Sequence, residues 1–134
     1  MTKPELNQLS YDIIACAITV HDALGPGLLE SIYEQCLIHE LELKGFKVQQ
    51  QIKIPISYKQ IQLQASIRAD LVINESIVVE LKTVEEIHPI HRAQTLSYMK
   101  LLNCPKGIII NFFCEKITDK AIHLANELFE KMPK

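Results

Sequence analysis

The chain has 134 residues, a length that fits one domain and leaves little room for two. Hydrophobic residues make up 48% and charged residues 22%, which excludes a disordered or low-complexity chain. The formal net charge of -2 excludes a strongly basic nucleic-acid coat protein, though not a local basic patch.

Ile13, Ala17, Val20 and Leu24 recur at helical spacing and predict a first helix from about Glu5 to Leu24. Gly25-Pro26-Gly27 breaks it. A second helix is predicted from about Leu28 to Lys44. Its apolar stripe is Leu29, Ile32, Tyr33, Cys36, Leu37 and Leu41, and Gly45 stops it. From Val48 the period changes to two. Val48, Ile52, Ile54, Ile56 and Tyr58 alternate with polar residues, and Pro55 marks an edge strand. Lys59-Gln60 is a tight turn. A second strand then alternates from Ile61 to Ile73. Asn74-Glu75-Ser76 turns into a third strand, Ile77 to Lys82. A helix from about Pro89 to Leu102 follows, then a short buried strand, Gly107–Phe113. A last helix is predicted from about Asp119 to Lys131, with Thr118 as its N-cap. Strand–helix–strand from Ile77 to Asn111 forms a right-handed parallel crossover. The sum is a single α/β domain over residues 1–134, on a mixed four-stranded sheet: three antiparallel strands, then a parallel crossover strand.

The start of the chain is polar, and no apolar run approaches the roughly 20 residues of a membrane span. Cys16, Cys36, Cys104 and Cys114 form no C-x-x-C pair and sit in apolar surroundings. They read as reduced core thiols of a cytoplasmic protein without a membrane partner. Charge is uneven. Residues 1–40 hold Lys3 against six acids, whereas residues 41–70 hold Lys44, Lys47, Lys53, Lys59 and Arg68 against Glu42 and Asp70.

Face alternation also fixes register. Pairing across Lys59-Gln60 sets Tyr58 opposite Ile61, Ile56 opposite Leu63 and Ile54 opposite Ala65. Across the next turn, a three-residue loop pairs Ile73 with Ile77 and Leu71 with Val79, keeping the apolar faces together. That register puts Asp70 opposite Glu80, with Arg68 and Lys82 on the same face. Facing carboxylates repel unless a cation stands between them. Two outcomes compete: an ion ladder of Arg68 with Glu80 and Lys82 with Asp70, or a site for a divalent metal such as Mg²⁺.

Other polar residues add to this. Glu30 lies at the edge of the second helix's apolar stripe, where a carboxylate needs a partner. Gln94 and Tyr98 are four apart and share a helix face. His21 precedes the Gly-Pro-Gly break, where capping and packing are expected. His88 and His91 match no zinc spacing and are expected at the surface. No glycine-rich phosphate or dinucleotide motif is present.

Together these segments resemble a known family. Gly27-x-x-Glu30-x-x-Tyr33 within LGPGLLESIYE, then RADLVI, VVELKTVE, HRAQTLSYMK and GIIINF, resemble the GxxExxY proteins over about residues 10–130. That family is similar to a compact branch of the PD-(D/E)xK nuclease superfamily. The resemblance implies a restriction-endonuclease-like core of order αβββαβ and Mg²⁺- or Mn²⁺-dependent phosphodiester hydrolysis. Asp70 matches the superfamily's first acid, and Glu80 and Lys82 its E-x-K. Glu30 matches the upstream helical glutamate, and Gln94 and Tyr98 the Q-x-x-x-Y of RecB-like nucleases. Ala69 stands where proline often precedes the first acid. The expected metal ligands are Asp70, Glu80, the Leu81 carbonyl and Glu30, the last directly or through water. Gln49, Gln51, Lys53, Ser66 and Arg68 are expected to contact a nucleic-acid backbone, with DNA the preferred substrate. The alternative is an inactive nuclease-fold module that binds nucleic acid or a protein. A homodimer or larger protein partner is a further expectation, because so short a chain offers few surfaces to grip a duplex.

Overall fold

The computed structural model describes residues 1–63 and 67–134. Helix α1 (Lys3–Leu24) begins under a Thr2 cap, whose side chain accepts from the Glu5 amide at 3.3 Å. It buries Leu6, Leu9, Ile13, Ala17 and Val20 along one stripe. Gly25, at φ 69°, ends it and donates its amide to the His21 carbonyl at 2.7 Å. Helix α2 (Glu30–Leu43) starts two residues later than predicted and buries only Tyr33, Leu37 and Leu41. Leu29 and Ile32, predicted in the stripe, are exposed: Leu29 is the N-cap before the helix begins, and Ile32 lies off the buried Tyr33–Leu37–Leu41 row.

The Gly-x-x-Glu-x-x-Tyr segment has a mechanical explanation. Gly27 takes φ 101°, a value L-residues with side chains rarely adopt, and this redirects the chain into α2. The buried Tyr33 hydroxyl donates to the Gly25 carbonyl and accepts from the Leu28 amide at 3.1 Å. Its ring stacks on Phe112 with centroids 4.4 Å apart. The loop is thus tied to the helix it launches, and Glu30 is fixed as the first residue of that helix.

The sheet runs β1 (Val48–Lys53), β4 (Arg68–Ile73), β5 (Ile77–Lys82), β6 (Lys106–Asn111) and β7 (Ile122–Ala125), in that spatial order. Only β5 and β6 are parallel, joined by α3 (Pro89–Leu101) as the crossover. A separate two-stranded sheet is made by β2 (Ile56–Tyr58) and β3 (Ile61–Leu63). The core on one face packs α1 and α2 over Leu71, Ile73, Ile77, Val79, Leu81 and Ile108. The other face packs Tyr98 and Met99 of α3 over Val72 and Val78.

Several expectations change. The sheet has five strands rather than four. The predicted last helix is instead a short turn α4 (Ile117–Lys120), then β7, then α5 (Glu127–Glu130). Ile122 and Leu124 face inward while His123 and Ala125 face outward, and Ile122 pairs with Ile109. Covering the free edge of β6 outweighs local helical spacing here. The two long strands also divide. Pro55 ends the pairing of β1, and β2–β3 turns away as its own hairpin.

The hairpin register is as expected, with Tyr58 opposite Ile61 and Ile56 opposite Leu63. Ala65 lies outside the described residues. The three-residue loop pairs Ile73 with Ile77 and Leu71 with Val79, also as expected. Strict alternation fails at one place. Leu71 and Ile73 lie in the α1–α2 core, but Ala69 joins the α3 core. Opposite this break, Gln51 has φ 48°. The strands therefore turn over at Asp70.

The four cysteines are free thiols, and burial pushes Cys104 up to about 11 and raises Cys16 and Cys114. His21 is buried with Nε2 2.9 Å from the Cys114 carbonyl, a packing role as expected. Among the described residues, no helix is long and apolar enough to cross a membrane.

Candidate active site

The β4–β5 ladder ends at Leu71 and Val79. Beyond it, side chains take over the backbone's partners. Glu80 Oε2 accepts from the Asp70 amide at 2.9 Å, and Asp70 Oδ2 accepts from the Leu81 amide at 2.9 Å. Two carboxylates are thereby fixed side by side at the mouth of the splayed strands. Glu80 is only 6% exposed. Burial first, and the charge of Asp70 second, push its carboxyl up to about 8. Lys82 opposes this shift without making an ion pair. Among the described residues the one ion pair is Lys47 with Glu75, so the Arg68–Glu80 and Lys82–Asp70 ladder does not form.

A buried carboxylate against a second carboxylate, with no paired cation, is costly for the protein alone. The donors are hard oxygens, and Leu81, whose side chain is buried in the core, can add only its backbone carbonyl. This set suits Mg²⁺ or Mn²⁺, which bind one or two carboxylates and keep several waters.

Glu30 stands at the solvent-exposed first turn of α2. Partial burial and the Asp70 charge raise its carboxyl, while Lys82 lowers it, so all three share one field. Among the described residues no three His, Cys, Asp or Glu side chains converge closely enough to hold one ion. Glu30 therefore sits outside the Asp70–Glu80 pair rather than completing a three-carboxylate cage. Glu34, one turn on, accepts from Gln51 Nε2 at 2.9 Å and is raised by burial and by Asp70. The sequence reading missed Glu34; its i+4 spacing from Glu30 was the available signal.

Lys82 is half-buried at the end of β5, opposite Asn111. Asn111 is 1% exposed and holds the chain after Lys82. It donates to the Val84 carbonyl at 2.6 Å and accepts from the Val84 and Phe113 amides. On α3, Tyr98 is buried, and burial together with the charges of Glu80 and Asp70 raises its phenol. Gln94 is exposed one turn earlier on the same face. His91, expected at the surface, is half-buried, and its Nδ1 accepts from the His88 amide at 3.0 Å. Slight burial and the charges of Lys82 and His88 lower it.

The expected substrate contacts divide. Gln51 reaches Glu34 beside the site. Lys53 and Arg68 are opposite each other, both exposed, next to Asp70 on β4. Gln49 instead faces a cleft lined by Ile52, Val72, Leu102 and Cys104, away from the carboxylates. Ser66 lies outside the described residues.

A mixed sheet with one parallel crossover, opening onto D…E-x-K side chains, defines the class of a restriction-endonuclease-like domain. A model of the PD-(D/E)XK nuclease superfamily matches residues 7–124, and the chain belongs to that superfamily. No curated protein and no solved structure matches the chain.

Proposed function

We propose that the chain is a Mg²⁺- or Mn²⁺-dependent nuclease of the GxxExxY type that hydrolyses phosphodiester bonds in DNA. The observation that carries this reading is the reciprocal pair of Asp70 and Glu80, with Glu80 buried and, among the described residues, without a paired cation. Asp70, Glu80 and the Leu81 carbonyl would hold the ion, and Glu30 would act through a water. The bound ion would offset charge on the phosphate and make a water more acidic. Lys82 would orient a water for in-line attack on phosphorus. The water oxygen would bond to phosphorus and lose its proton to solvent, while the bond to the leaving sugar oxygen breaks and that oxygen takes a proton from solvent. Tyr98 and Gln94 position the scissile phosphate, and Gln51, Lys53 and Arg68 hold the flanking backbone. Reduced thiols fit a cytoplasmic setting.

The test offers linear, nicked, branched and single-stranded DNA, and RNA, to purified protein with Mg²⁺ or Mn²⁺. Asp70→Asn and Lys82→Ala are expected to lower cleavage by roughly 10²–10³-fold. Cleavage equal to wild type in both variants overturns the assignment. Nucleic-acid binding with no cleavage of any substrate would make the chain a binding module on the same fold.

A further inference from the structure

The β2–β3 hairpin belongs to neither core of the domain. Its turn residues Lys59 and Gln60 both take positive φ, 45° and 74°, the two-residue form that matches strand twist. Tyr58, Ile61 and Leu63 leave 59%, 58% and 48% of their surface in solvent. An isolated two-stranded hairpin is marginal in water, and exposed apolar strands are normally covered. Among the described residues nothing covers this one, which leaves it open to a partner.

Charge indicates what that is. From residue 43 to residue 69 the chain has no acidic side chain. Lys53 and Arg68 face each other at the foot of the hairpin. Lys59 lies at its tip, with Nζ 5.4 Å from the Tyr58 ring centroid. A second copy packed hairpin against hairpin would set cations against cations. An anionic polymer with flat apolar faces meets both features at once. Phosphates pair with the cations, and bases stack on the aromatic ring.

We infer that the β2–β3 hairpin is a nucleic-acid arm that engages unpaired bases beside the cut. The inference rests on the nuclease reading of the Asp70–Glu80 site and names its substrate class: single-stranded, forked or frayed nucleic acid rather than closed duplex. Blunt duplex hides its base faces; a fork presents them. The stretch from Lys53 to Tyr58 reaches at most about 18 Å. The arm thus acts within about 18 Å of the strand that carries Asp70.

The experiment measures anisotropy of labelled single-stranded, forked and blunt duplex DNA in EDTA, and cleavage of the same substrates in Mg²⁺. Tyr58→Ala is expected to weaken single-stranded and forked binding roughly tenfold, and to leave blunt duplex binding unchanged. Tyr58→Phe keeps the ring and is expected to bind as wild type. Tyr58 is exposed, so circular dichroism melts of both variants should match wild type. Unchanged fork binding by Tyr58→Ala overturns the inference, as does an equal loss on all three substrates. A dimer in light scattering that Tyr58→Ala dissociates, with binding intact, overturns it in favour of a self-association surface. In each of those cases Mg²⁺-dependent cleavage by wild type, lost in Asp70→Asn, leaves the nuclease reading standing. If wild type neither binds nor cleaves any of the three, both fall.

Discussion

The β4–β5 pair has two halves that differ in what closes them. From Leu71 to Ile73, backbone pairs with backbone across to Ile77–Val79, and side chains alternate cleanly into the core. One residue further, Asp70 and Glu80 push carboxylates into the gap and accept the amides that a ladder would have paired. The closed half contributes stability through buried area. The open half holds two adjacent carboxyls whose joint ionisation is costly, and the closed half must offset that cost. The proposed site sits where the regular pattern is withdrawn, supported by an immediately adjacent stretch where it is not.

Substitutions should separate the halves. Glu80→Gln keeps the volume and the acceptor for the Asp70 amide but removes the charge. Cleavage should fall by roughly 10²–10³-fold in a Mg²⁺ assay while the thermal midpoint at pH 8 holds or rises. Leu71→Ala should do the reverse. Leu71 is fully buried, and its truncation should cost about 2–5 kcal/mol in denaturant unfolding. Its cleavage per folded molecule should stay within a few-fold of wild type. A Leu71→Ala variant that is stable but inactive would break the division between the halves.

The pH dependence sharpens the same contrast. Glu80 titrates near 8 in the folded protein, against 4.5 as its ordinary value. The folded state therefore binds more protons than the unfolded state between those limits. By linkage, stability in EDTA should fall as pH rises from about 4.5 toward 8. Glu80→Gln should flatten that slope, and Leu71→Ala should keep it at a lower overall stability. Thermal melts across pH 5 to 8 give the readout. A slope identical in wild type and Glu80→Gln would show that Glu80 is not the group responsible.

Much of the closed half was legible in the sequence. Ile73 against Ile77 followed from period-two alternation, as did Tyr58 against Ile61 in the separate hairpin, because few registers avoid scrambling a face. The open half was legible as residue types but not as shape. Nothing local says that the strand turns over at Asp70, because Ala69 and Leu71 are both apolar and fit one face equally well. Residues 122–125 fit a helix as readily as a strand until the unpaired edge of β6 is known. Glu34 and Asn111 were missed for a shared reason: their partners Gln51 and Val84 belong to another element or to a loop. Only folding brings them to the site.

The smallest expected effect tests how the α2 side of the open half is held. Tyr33→Phe keeps the ring stacked on Phe112 and removes one hydroxyl. That hydroxyl serves two backbone groups, the Gly25 carbonyl and the Leu28 amide. Losing it leaves both groups short of a partner and should cost about 1–3 kcal/mol in denaturant unfolding. The consequence for activity depends on geometry rather than on global stability. Gly25 and Leu28 bracket the turn that launches α2, and Glu30 is the first residue of that helix. A looser turn lets Glu30 wander relative to Asp70 and Lys82, while Asp70 and Glu80 keep their mutual amide bonds. Cleavage at saturating Mg²⁺ should therefore drop only several-fold, and Mg²⁺ affinity by calorimetry should stay near wild type. Tyr33→Phe combined with Glu30→Gln should cleave no worse than Glu30→Gln alone, because the tyrosine's catalytic contribution passes through that carboxylate. Additive losses in the double variant would mean that Tyr33 supports the site by a route other than Glu30.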